Sequence, residues 1–222
     1  MMKLGSKRSV ATSKRKTSKA RFSPKSAASK KSEAMSIRKT SKARFSPKSA
    51  ASKKSAATSI ILITGPESSG KTTLAKDLAF ALDGLYVEEA ARTYLLERGG
   101  QYSAADLPAI WQRQQEAEDA ARATSASFVI CDTGPEVIRI WTEVKYGQCP
   151  EEVLHATRFR HYDLILLCYP DLLWEEDPLR EAPDERERLA LFERYQLILP
   201  AERTVVIRGK NRLTQALLAL PV

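Results

Sequence analysis

The chain has 222 residues, 43% hydrophobic and 28% charged, and its net charge of +9 is divided very unevenly. Residues 1–59 hold 18 Lys and Arg against one acid, Glu33, a net +17, whereas residues 60–222 hold 18 basic and 26 acidic residues, a net −8. This length admits one α/β domain plus an appended segment. No apolar run approaches the roughly 18 residues of a membrane span, so no membrane partner is expected, and there is no apolar stretch of a secretory signal. The three cysteines (Cys131, Cys149, Cys168) lack metal-type spacing, which predicts reduced thiols and a cytoplasmic setting.

The basic segment contains an exact repeat. Residues 15–32 read RKTSKARFSPKSAASKKS, and residues 38–55 repeat them. Each unit offers one Phe (Phe22, Phe45) and a few Ala, too little apolar surface to offset the entropy of ordering, so residues 1–58 are expected to be a disordered tail. Its Ser-Pro-Lys steps and Lys/Arg excess resemble the tails of histone-like proteins, and counterion release would give it salt-sensitive contact with nucleic acid. A solvated tail without a role and an organelle-targeting segment are the other readings.

From Ser59 the pattern changes to strands alternating with helices. Residues 60–63 (IILI) form a short β-branched run suited to a strand buried on both faces. Directly after it, Gly65-Pro66-Glu67-Ser68-Ser69-Gly70-Lys71-Thr72 fits G-x-x-x-x-G-K-[ST] in full and opens a helix over 72–82. In that context the glycines let backbone N–H groups converge on a phosphate, and the helix N-terminus adds its dipole. Lys71 reaches the β- and γ-phosphates of ATP, and the Thr72 hydroxyl is placed for Mg²⁺. A strand at 85–87 ends on Glu88-Glu89, either of which is a candidate base for an acceptor hydroxyl, with Arg92 on the same face of a helix over 88–98. Asp106 is expected to cap a long helix running to Arg122, with Pro108 in its first turn.

A third strand, 128–131, delivers Asp132 to the carboxyl edge of the sheet, where an acid holds Mg²⁺ through water. Helices follow at 136–146 and 150–159, then a strand at 164–168. Residues 171–185 (DLLWEEDPLREAPDE) read as a polar lid, followed by Arg186, Arg188 and Arg194, whose charge a transferring phosphoryl group would need. Trp141 and Trp174 are candidates for stacking on an aromatic base. A helix over 184–197, a strand at 205–207, a turn at Gly209-Lys210-Asn211 in the position of an adenine loop, and a helix over 212–218 complete the order. The fold expected is a parallel five-stranded sheet with helices on both faces and a lid, over residues 59–222.

The segments ITGPESSGKTTLAKDLA, YVEEAARTYL, QRQQEAE (112–118), ICDTGPEVIRIWTEVKYGQCP and LLCYPDLLWEEDPLRE together resemble the P-loop kinase-like ATPases related to ribosylnicotinamide kinase, a domain of the bifunctional NAD-salvage regulator. The resemblance covers nearly all of 60–220 and none of the tail. It implies ATP bound by residues 65–73, Thr73 included, Mg²⁺ served by Asp132, a nucleoside facing Glu88 or Glu89, and Arg180 in the lid. It does not imply adenylyl transfer. In that kinase the lid motif usually has Gly between Asp and Leu, where this chain has Pro178.

Three readings follow. The first is an ATP-dependent kinase acting on a nucleoside-like alcohol, supported by Glu88-Glu89 and the lid arginines. The second is an ATP-binding regulatory module that contacts nucleic acid through the basic tail. The third, an ATPase acting on macromolecules, lacks an arginine-finger motif.

Overall fold

The computed structural model describes residues 57–220. The repeat at 15–55, its expected disorder and its nucleic-acid contact lie outside the described residues. The chain runs β1 (Ser59–Thr64), α1 (Lys71–Ala81), β2 (Leu85–Val87), α2 (Ala90–Glu97), a 3₁₀ turn (Ala104–Asp106), α3 (Leu107–Arg122), β3 (Phe128–Asp132), α4 (Pro135–Tyr146), α5 (Glu151–Phe159), β4 (Leu164–Cys168), α6 (Glu185–Ile198), a second 3₁₀ turn (Ala201–Arg203), β5 (Thr204–Ile207) and α7 (Arg212–Leu218). The five strands pair in parallel in the order β2-β3-β1-β4-β5. This is the parallel sheet with helical crossovers that the alternation predicts.

The apolar run of β1 explains the layering. Successive side chains of a strand point to opposite faces. Ile60 and Leu62 join a core with Val129, Leu167, Phe192 and Tyr195 on the face covered by α4 and α6. Ile61 and Ile63 join Leu74, Leu78, Leu166 and Ala216 on the face covered by α1 and α7. Ile61, Leu62 and Ile63 are essentially inaccessible to water, and burying each such side chain contributes about 1.5–3 kcal/mol. A third cluster (Tyr94, Leu107, Ile110, Trp111, Ile138, Val153) binds α2, α3, α4 and α5 together.

Two local expectations need correction. Asp106 stands at the N-cap position of α3, but its carboxylate does not cap that helix. It accepts instead from the Ser103 amide and hydroxyl, both at 2.8 Å, and from the Tyr94 hydroxyl at 2.7 Å, closing a capping box on the preceding 3₁₀ turn. The second helix begins at Ala90, two residues later than expected, so Glu88 and Glu89 lie on the connection before it. That connection is not free, because the Gln114 side chain takes the Ala90 amide.

Candidate active site

The phosphate loop leaves β1 at the carboxyl edge of the sheet and turns into α1 at Lys71. Gly65 has φ +143, and a Cβ there would lie 2.5 Å from the Cys168 carbonyl oxygen, so the loop's approach to β4 requires glycine. Gly70 caps α1 in the left-handed region with φ +74. No side chain caps α1, which leaves its first amides to point into the loop as an anion site. The Lys71 ammonium rests 3.4 Å from the Pro66 carbonyl oxygen of the same loop.

Asp132, the last residue of β3, is fully buried beside Lys71 and Thr72. The Tyr86 hydroxyl donates to its Oδ2 at 3.1 Å, while Oδ1 is buried without a partner. Burial pushes the Asp132 carboxyl above its ordinary value, against the pull of the Lys71 charge and of the nearby Thr72 and Tyr86 hydroxyls. An orphaned buried carboxylate oxygen next to a Thr hydroxyl fits a divalent cation. Among the described residues no group of three or more His, Cys, Asp or Glu could enclose a metal. The donor set therefore suits Mg²⁺, which keeps waters and phosphate oxygens in its shell, rather than an all-protein cage.

Glu88 and Glu89 both line a groove beside β2, but only Glu89 also lines the phosphate-loop cavity. Glu88 is exposed and shares that groove with Thr93 and Arg113. Glu89 lines a cavity of about 310 Å³ with residues 65–73, Arg92, Trp141, Leu172 and Arg180. Burial raises the Glu89 carboxyl above its ordinary value, the Lys71 charge opposes this, and Asp132 adds to it. Trp141 presents one side to the cavity and packs on Tyr102, ring centroids 4.6 Å apart.

The segment 171–184 crosses this cavity and is tied down at several points. The Glu67 carboxylate, in the middle of the phosphate loop, accepts from the Glu181 amide at 2.9 and 3.0 Å and from the Ala182 amide at 2.9 Å. Arg92 pairs with Asp177 at 2.7 Å, and Lys145 with Glu181 at 2.9 Å. Leu172 lies over Gly70. Arg180 lines the cavity with its guanidinium braced on the Glu175 carbonyl at 2.5 Å.

Other residues singled out in the sequence stand elsewhere. Arg186 is exposed on the first turn of α6, outside the cavity. Its neighbour Arg188 is buried and donates to the carbonyls of Ala182 and Pro183 at 3.2 and 2.6 Å, fastening the end of the lid. Trp174 is half-buried and does not line the cavity. The 209–211 turn is exposed and likewise lies outside it, although the Gly209 amide donates to Asp171 at the start of the lid. The buried Arg212 grips Asp171 as well. A wider groove between α3 and α5, lined by Trp111, His155 and Phe159, carries none of the phosphate-loop residues. All three cysteines are free thiols, and no described helix is long and apolar enough to cross a membrane.

Comparison with known proteins places this geometry. No curated protein matches the chain. A crystal structure of NadR protein in complex with NAD and AMP-PNP superimposes with a TM-score of 0.57 at 21% identity, over 73% of this chain and 48% of that one. NadR in complex with NR gives 0.56 at 21% identity over the same shares. The chain thus spans about half the length of those NadR chains, and at this identity the likeness is one of fold. Residues 60–213 match the model of a family described as an AAA domain. That match covers more than half of the sequence: the chain belongs to this AAA domain family, with a P-loop fold like that of NadR.

Proposed function

We propose that the protein is an ATP-dependent kinase that transfers the γ-phosphate of ATP to a hydroxyl of a nucleoside-like alcohol such as nicotinamide riboside. The observation that carries this is the convergence of the phosphate loop, the Glu89 carboxylate and the lid residue Arg180 on one cavity. Loop amides and Lys71 hold the phosphates. Thr72 and Asp132 would hold Mg²⁺, which when bound neutralises charge on the phosphate oxygens. Glu89, with its raised carboxyl pKa, accepts the proton of the acceptor hydroxyl as the new oxygen–phosphorus bond forms and the bridging bond to ADP breaks. Arg180 supplies positive charge to the transferring group. Trp141 offers an aromatic face, which together with Glu67 and Glu89 suits a cationic ring.

The decisive experiment incubates the full chain with Mg–ATP and a panel of nucleosides, nicotinamide riboside among them, and weighs the products by mass spectrometry. A nucleoside monophosphate is expected, and Glu89→Gln should lower its rate by about 10²–10⁴-fold, the usual contribution of a positioned base, whereas Glu88→Gln should leave it nearly unchanged. ATP binding without any phosphorylated nucleoside would overturn the kinase reading. The +17 charge of residues 1–59 supports a separate proposal of sequence-independent contact with nucleic acid. The free thiols support a reducing, cytoplasmic setting.

A further inference from the structure

The QRQQEAE stretch of α3 contains a buried amide with no role in the cavity. Gln114 is only 4% exposed. Its side-chain oxygen accepts the Ala90 amide at 2.8 Å, one residue beyond Glu89. Its side-chain nitrogen donates to the Thr133 carbonyl at 3.3 Å, one residue beyond Asp132, and to Glu118 at 3.4 Å. The partners fix the orientation of the amide, because a flip would set N–H against N–H and oxygen against oxygen.

Gln114 is itself anchored from behind. Glu118 is fully buried, receives Arg160 at 2.6 Å and the Tyr162 hydroxyl at 3.0 Å, and pairs with Arg122 at 3.5 Å. The connections it joins need such a brace. The strand β2 is three residues long and pairs only with β3. Thr133 holds φ +71, a left-handed conformation costly for a β-branched residue unless its surroundings impose it.

We infer that Gln114 is a positioning residue that sets Glu89 and Asp132 against each other by bridging the backbone just past each of them. It does not line the phosphate-loop cavity. Its kinetic consequence rests on the phosphoryl-transfer reading; its consequence for magnesium binding does not.

Gln114→Met keeps the bulk of the side chain and removes both bridges. Gln114→Glu keeps an acceptor for Ala90 but sets an oxygen against the Thr133 carbonyl and Glu118. In the full-length protein, the Mg²⁺ concentration that half-maximally tightens binding of a non-hydrolysable ATP analogue should rise roughly tenfold in both, the order expected when a partner behind a metal ligand is lost. Affinity for the analogue without Mg²⁺ should stay within about twofold, since the phosphate loop is untouched. Where transfer is measured, kcat should fall while KM for ATP holds, and Gln114→Met should depress kcat more than Gln114→Glu, which retains the Ala90 bridge. An unchanged magnesium half-point in either folded variant overturns the inference, as does a loss of analogue affinity equal with and without Mg²⁺, the mark of general loosening. If Gln114→Met does not fold, the magnesium half-point of Gln114→Glu decides. A wild-type protein that makes no phosphorylated product, yet shows the magnesium shift on substitution, would overturn the kinase reading and leave this one standing.

Discussion

At the scale of single residues, desolvation sets the proton affinity of three carboxylates around the sheet edge. Asp132 and Glu89 are raised in pKa by burial, and each has Lys71 as a counterweight. Glu136 has no such lysine. It is 1% exposed, accepts the Gly134 amide at 3.1 Å, and burial pushes its carboxyl up to about 7. A carboxyl with a raised folded pKa binds its proton more tightly folded than unfolded, so stability is full below about pH 4.5 and is lost as pH rises to about 7. The shift corresponds to about 3 kcal/mol. Denaturant unfolding of the wild type and Glu136→Gln between pH 4.5 and 8 checks this: the difference should change by up to that amount in favour of the variant as pH rises, and then level off. A difference that does not vary with pH would place the ordinary carboxylate in this site.

At the scale of elements, the lid is held closed by the loop it covers. Glu67 ties the lid amides of residues 181 and 182 across a sequence separation of more than 110 residues. Charge-assisted bonds of this kind are the stronger ones, and proteolysis follows the population of the opened state. Glu67→Ala should therefore speed tryptic cleavage after Arg180 by about tenfold or more, each 1.4 kcal/mol of lost closure being one factor of ten. Cleavage elsewhere in residues 57–220 and the melting temperature should change little. Equal acceleration at all sites would show that Glu67 supports the domain rather than the lid.

At the scale of the whole molecule, the described residues contain a complete sheet whose two faces are each covered by helices. A chain of residues 57–222 should accordingly melt within about 2 °C of the full-length protein, since surface changes remote from the core typically cost under 0.5 kcal/mol. Its net charge should be −8 rather than +9. Calorimetry and isoelectric focusing check both. A large loss of stability in the shortened chain would mean that residues 1–56 contribute native contacts.

The order of strands and helices and the phosphate loop were legible in the sequence because they rest on local physics. Runs such as IILI and FVIC can be satisfied only by burial on both faces, and Gly65 to Thr72 encode a backbone shape through their glycines. Other features depend on residues far apart in the chain. Adjacent glutamates give no local reason for Glu89 rather than Glu88 to face inward; the late start of α2, braced by Gln114 from α3, decides it. Arg186 and Arg188 look alike as letters, and only packing buries the second. One signal for Gln114 was present. The buried face of α3 runs Leu107, Ile110, Trp111, Gln114, Glu118, so two polar residues occupy the apolar stripe and must find partners inside. Which partners they find, and that the Glu67 carboxylate meets the lid, are properties of the assembled sheet. The sequence by itself determined the elements and the glycine-shaped loop between β1 and α1, whose causes lie within a few residues; tertiary structure decided which acid faces the cavity and what holds the lid shut, because burial and hydrogen bonding there join distant segments.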